Sequence, residues 1–370
     1  MSWIAHHATS EQLAADAEIE RRRGSRDRAT TLYREAADAE SRALKEIEPT
    51  KQRTVGITAI SAASLYLKAD APLLAEQVAL RSLSEHDLPE FARDELRLIL
   101  QSVWNEAARA KASTHFLPGE ILIAVKGGKI VAGGAPLDLI LERVQTIQAL
   151  IYRIAEWLLE RPHRRNGGPP ADIIDICRPW LFQSIPGSYQ FSVAVEQPKQ
   201  FDLFRADTSP EAFAQKILDV VKVASDDPEY SFPKLVTDPS YRRTMLKLTR
   251  NLAPTGTAFD SLEMKSVNQD IAVSLVPSQR VAINKALKAS NTLQNKINEG
   301  EIKTLYGILR ALHLDKDWLE LQADNGKIVV NNLGEAVDDT IGPMVNRRVR
   351  VEVLVKSKNK FLFRDIEPDE

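Results

Sequence analysis

Between Leu137 and Glu160 the chain places apolar residues on almost every turn of one helix. Leu137, Leu141, Val144, Gln148, Ile151, Ala155 and Leu158 share a stripe, and Ile140, Ile147, Leu150, Ile154 and Trp157 widen it. A surface helix needs only a narrow apolar stripe, whereas one this wide has to be covered around most of its circumference. The flanking residues must supply that cover, so the pattern predicts a middle domain with this helix as its spine.

The residues on either side alternate between strand and helix signals. Glu120–Val125 is a β-rich run, Lys126-Gly127-Gly128-Lys129 is turn chemistry, and Ile130-Val131 opens a return strand. Gly133-Gly134-Ala135-Pro136 closes that hairpin, with Pro136 in the first turn of the helix. Arg161–Pro170 is an exposed loop, Asp172–Cys177 a short helix, and Tyr189–Val195 a half-buried strand of period two. Pro210–Val223, Tyr241–Leu252 and Pro277–Lys288 have helical spacing, the second with Asp238 as its cap and Pro239 in its first turn. Phe259–Lys265 and Ile271–Val276 are strands. Helices of uneven length among strands point to α+β, not to a regular doubly wound sheet.

Ser10 to Lys111 is helical throughout, with Pro49, Pro72 and Pro89 at the breaks. Leu13, Ala17, Gly24, Ala29, Tyr33 and Ala36 stand where small residues let two helices approach and an aromatic fills the groove between them. Ala59, Ala63, Ala75 and Ala79 repeat the pattern without the glycine. Over about residues 10–111 the segment resembles a tetratricopeptide-type array. The resemblance implies a surface for a protein partner.

From Glu301 onward Thr304–Leu309, Trp318–Ala323, Lys327–Asn331, Arg348–Lys356 and Phe361–Ile366 are short strands. Asn325-Gly326 is the strongest hairpin signal in the chain. Gly334–Val345 interrupts them as a short helix or long loop. Over about residues 301–367 this pattern resembles the small OB or SH3-like β-barrels. The expected organisation is α+β and multidomain: a helical-repeat domain over 1–115, an α+β middle domain over 116–295, and a barrel-like module over 296–370.

A hydrophobic fraction of 44% and a charged fraction of 27% suit packed domains. The net charge of −2 argues against a general nucleic-acid coat or a membrane-surface protein. Cys177 is the only cysteine, which excludes an internal disulfide and any cysteine-built metal centre within one chain. One thiol, no secretory signal at the N-terminus and no apolar run near the roughly 20 residues of a membrane span place the protein in the cytoplasm.

Motifs that could carry chemistry have more ordinary readings. Lys126–Lys129 lacks the remaining positions of a phosphate loop, since Ile130 stands where a hydroxyl should follow the lysine. Ser188, in Pro186-Gly187-Ser188-Tyr189, precedes a strand and lacks the second glycine of a nucleophile elbow. His6, His7, His86, His115, His163 and His313 show no metal spacing. Glu263-Met264-Lys265 has the spacing of a restriction-endonuclease-like core, with Asp238 or Asp260 as the further carboxylate of a magnesium site.

Two basic patches remain. Arg161, Arg164 and Arg165, beside His163 and Gly167-Gly168, are candidates for binding phosphate or another anion. Arg347, Arg348, Arg350, Lys356, Lys358 and Lys360, with Arg364 and the interleaved Phe361 and Phe363, are candidates for nucleic acid. The leading expectation is a non-enzymatic binding or adaptor protein that offers its helical array to a protein partner, with no cofactor and no metal. The alternative is a nucleic-acid-binding accessory protein acting through the barrel, and a metal-dependent nuclease comes third.

Overall fold

The computed structural model describes residues 2–111, 120–131, 134–182, 189–196, 210–266, 272–294, 301–324, 326–334, 337–357 and 360–369. Contacts group the chain into two compact units, one ending near Ser113 and one running from there to the C-terminus.

The first unit is a run of helices: α1 (Trp3–Arg22), α2 (Arg26–Glu46), α3 (Gln52–Lys68), α4 (Pro72–Glu85) and α5 (Glu90–Lys111). Pro72 occupies the first turn of α4, and Pro49 and Pro89 lie in the linkers, because proline breaks a helix anywhere past its first turn. Successive helices pack on each other, and α3 also packs on α5. The interior is alanine: Ala17, Ala36, Ala59, Ala63, Ala75 and Ala79 are fully excluded from water. At Gly56 the helices approach so closely that a Cβ would stand 2.6 Å from Ala92 Cβ. Tyr33 and Tyr66 fill grooves and keep their hydroxyls satisfied by donating to Glu18 at 2.5 Å and Asp38 at 2.7 Å. The spacing from Ala17 to Ala29 recurs from Ala63 to Ala75. Yet α2 alone takes 21 residues, longer than one helix of a tetratricopeptide unit of about 34 residues allows.

The second unit holds two sheets. Its first is β2 (Pro179–Phe182), β3 (Tyr189–Val195), β1 (Ile121–Lys126), β4 (Ser261–Ser266) and β5 (Ala272–Leu275), in that spatial order. Every neighbouring pair is antiparallel, as α+β architecture requires. Around it lie α6 (Leu137–Leu158), α7 (Ala171–Cys177), α8 (Pro210–Asp226), α9 (Phe232–Leu235), α10 (Pro239–Leu252) and α11 (Pro277–Gln294). Ile121, Ile123 and Val125 of β1 share one core with Ile147, Leu150, Ile151 and Ile154 of α6. Asp238 caps α10 by accepting from the backbone N–H groups of Ser240 and Tyr241 at 2.8 and 3.0 Å.

Three features depart from the sequence reading. The return strand at Ile130-Val131 is absent; Val131 makes one bridge to Gly134, and β1 pairs instead with β3 and β4. Gly127 and Gly128 turn at φ +77° and +62° against the Ala258–Asp260 segment, where a Cβ on Gly128 would lie 2.8 Å from Phe259 Cα. β2 carries no alternation that would have marked it. Finally, α6 is rotated from the expected stripe, for Leu137 and Leu141 are 73% and 49% exposed while Arg143, Arg153 and Glu156 are buried.

The second sheet comprises β6 (Glu301–His313), β7 (Trp318–Ala323), β8 (Gly326–Asn331), β9 (Arg348–Ser357) and β10 (Lys360–Pro368). They close in the order β10-β8-β7-β6-β9, with β8 and β10 parallel and the other pairs antiparallel. The one-turn helix α12 (Val337–Thr340) and a 3-10 turn at Gly342–Met344 stand between β8 and β9. Leu309, Leu319, Leu321, Val330, Val349, Val351 and Val353 fill the interior. Gly326 turns at φ +113° between β7 and β8 as the hairpin signal predicted; Asn325 lies outside the described residues.

The alanine-lined contacts of the helical unit make a direct prediction. Ala75→Leu should lower the local stability of α3 and α4, read by amide hydrogen exchange, by about 1–3 kcal/mol through overpacking. Leu73→Ala, on the exposed face of the same helix, should change it by less than about 0.5 kcal/mol.

Candidate functional site

The basic loop after α6 folds back onto the barrel. Arg153, fully buried on α6, donates from Nε to Asp339 of α12 at 2.5 Å and from Nη1 to Glu156 at 3.2 Å and to the Arg164 carbonyl at 2.9 Å. Arg164 donates from Nε to Glu156 at 2.6 Å and also reaches Asp339. Arg165 donates to the Gly334 carbonyl at 2.7 Å and pairs with Asp317, and Arg161 pairs with Asp172 at 2.6 Å. The three anion-binding candidates are thus each engaged by a carboxylate of the same chain. Two of them join the middle domain to the barrel.

His163 lies inside this clasp. Its Nε2 shares a hydrogen bond of 2.9 Å with Thr244 Oγ1, and its ring meets Tyr241 edge-on at 5.0 Å. Burial first, and then the neighbouring Arg153 cation, push its pKa down to about 4.

A second charged joint lies between α10, α11 and β10. Arg250 is fully buried; it pairs with Asp365 and donates to the Ile366 carbonyl at 2.8 Å. Arg280 reaches Glu367 at 2.9 Å and the carbonyls of Arg250 and Ala253 at 2.9 and 3.0 Å. Lys247 stands 3.5 Å from Asp365 and 5.4 Å from the Phe363 ring centre. Burial raises the proton affinity of Asp365 and Glu367, but the surrounding cations outweigh it, Arg250 first in both cases. Both carboxyls titrate below their ordinary range.

This joint takes up much of the C-terminal basic strip. Arg350 pairs with Glu367 at 2.7 Å, Arg347 with Glu142 of α6 at 2.5 Å, and Arg348 with Asp369 at 2.8 Å. Lys356 and Lys360 are exposed, and Lys358 lies outside the described residues. Phe363 is buried in the barrel and Phe361 packs against its core, so neither ring is presented to a base. A small polar cleft of about 90 Å³, lined in part by Tyr306, Arg350 and Glu352, opens beside β6 and β9.

The remaining motifs are scattered. Glu263 points outward from β4 and pairs with Lys126 at 2.8 Å, while Asp238 is committed to the α10 cap. Among the described residues no three His, Cys, Asp or Glu side chains gather as a metal site. Cys177 is buried, its thiol donates to the Ile173 carbonyl at 3.2 Å, and burial pushes its pKa up. Ser188 and His115 fall outside the described residues. No described helix is long and apolar enough to cross a membrane.

The helical unit holds a feature that sequence reading could not select. Leu73 and Leu80 of α4 are 70% and 45% exposed, Glu76 lies between them on the same face, and Trp104 of α5 is 43% exposed. The Trp104 indole N–H donates to Glu76 at 2.5 Å, which fixes the ring. Comparisons with protein-family models, curated proteins and solved structures return no match.

Two outcomes follow. Arg250→Met removes the nearest cation from the Asp365 carboxylate and should cost the second unit about 3–5 kcal/mol, read from its urea midpoint. Neutral His163 is the form that fits, so its contribution is complete above an ordinary histidine pKa of about 6.5 and is lost as pH falls toward about 4. His163→Gln should flatten that part of the stability–pH curve.

Proposed function

We propose that the protein is a non-enzymatic adaptor whose helical array binds a protein partner, with the barrel and middle domain as one rigid body. The observation that carries this reading is the Leu73, Leu80 and Trp104 face. An exposed tryptophan whose orientation is already fixed by Glu76 loses little freedom on binding, which is the property of an interface anchor. Two leucines spaced along one helix face suit the apolar face of a partner helix. The recurrent alanine spacing supports a tetratricopeptide-like stack, and the closed five-strand ring with its helical insertion supports an OB-type barrel.

The barrel supports a second reading, nucleic-acid binding. Tyr306 is half exposed beside Arg350, and Lys360 is exposed on the same module. Arg347, Arg348 and Arg350 would have to leave carboxylates to meet phosphates, so salt dependence should be shallow. No retention of single- or double-stranded oligonucleotides at low salt removes this reading.

For the adaptor, cross-linking capture from the native host should recover one partner with the wild type. Trp104→Ala should weaken that purified pair by tenfold or more, the loss of about 1.4 kcal/mol or more expected of an anchor. It should leave thermal stability unchanged. An affinity identical in wild type, Trp104→Ala and Leu80→Asp would sink the adaptor reading at this face.

A further inference from the structure

We propose that the first turns of α1 are a proton-controlled latch on α2, held by the contact between His7 and the buried Glu40 carboxylate. The Glu40 side chain is completely excluded from water. His7 Nδ1 reaches both of its oxygens, at 3.1 and 3.0 Å. Among the described residues Glu40 has no other hydrogen-bond or ion-pair partner. A carboxylate in that position needs a counter-charge, because leaving one buried and unpaired is strongly destabilising.

The counter-charge comes from a residue that can lose it near neutral pH. His7 is about one-third exposed, so protons reach it. The charged groups facing it are Glu40 from α2 and, from α1 itself, Glu11 at 3.5 Å. His6 adds a parallel contact to Glu46 of α2 at 3.5 Å. Trp3, whose ring centre lies 6.2 Å from that of His7, packs with Leu13 against the core of the helical unit. These contacts concentrate the docking of the N-terminal half of α1 in a few side chains, and the exposed leucine and tryptophan face of α4 and α5 takes no part in them.

The sign is fixed by the pair. The hydrogen bond that His7 donates to Glu40 holds its pKa above the ordinary range, against the weaker opposing effect of burial. A raised value in the folded state means that the contribution is fully present below about pH 6.5 and is lost as pH rises through the folded value. The latch is therefore closed in mild acid and loosens as pH rises, the opposite sense to His163.

Amide hydrogen exchange of the full chain at pH 6.0 and 8.5, corrected for intrinsic rates, tests this. In the wild type, protection of residues 3–13 should fall roughly tenfold or more between the two values, while α4 stays constant. Glu40→Gln should keep residues 3–13 protected at both values, and His7→Gln should leave them unprotected at both with α4 unaffected. Flat wild-type protection, or a Glu40→Gln protein that loses protection as the wild type does, overturns the proposal. The wild-type comparison decides the matter even where a variant misfolds.

Discussion

Arg250 has its whole side chain out of water, and the seat of the barrel depends on how that charge is neutralised. A buried guanidinium loses its hydration, and only a full set of acceptors makes the loss tolerable. Here Asp365 supplies the opposite charge and the Ile366 carbonyl a second acceptor, both from β10. The same arithmetic holds at Arg153, with Asp339 and Glu156. In each case an arginine outside the barrel takes its nearest carboxylate from the barrel module. The two parts of the second unit are therefore joined by a requirement for charge pairing that no sliding of one on the other would meet.

That requirement also commits the basic patches. Arg164, Arg165, Arg347 and Arg350 look like ligand-gripping residues when read singly, but each is paired with a carboxylate of the same chain. An anion would have to displace those partners to bind. Trp104, Leu73 and Leu80 face no such competition, because apolar side chains at the surface give up only water when covered.

What the sequence reveals follows from the range of the interaction. Local signals were legible: the proline breaks between helices, Asp238 and Pro239 at the start of α10, the turn at Gly326, and the alanine spacing that packs α1 on α2 and α3 on α4. The β6–β10 strands were legible as short β-runs around the hairpin signal, although β6 starts earlier and runs on to His313. Long-range pairing was not legible. Apolar counting placed the face of α6 through Leu137 and Leu141, because it could not anticipate that Arg143, Arg153 and Glu156 would be buried with partners. β2 has four residues and no alternation, so only its pairing with β3 defines it. The exposure of Trp104 likewise depends on which flank of α5 the other helices cover, which no local pattern states.

The two kinds of buried charge in this protein differ in one respect that matters. At the seat of the barrel the nearest cation is an arginine, a side chain that keeps its proton at any pH a cell reaches, so that joint responds to acid, through its carboxylates. Under α1 the cation is an imidazolium, whose proton leaves as pH rises. The physical demand is the same in both places, a carboxylate out of water that must be matched. An arginine makes the match permanent and a histidine makes it conditional. The chain has put the permanent kind where two parts must be held as one, and the conditional kind at the first helix of its array.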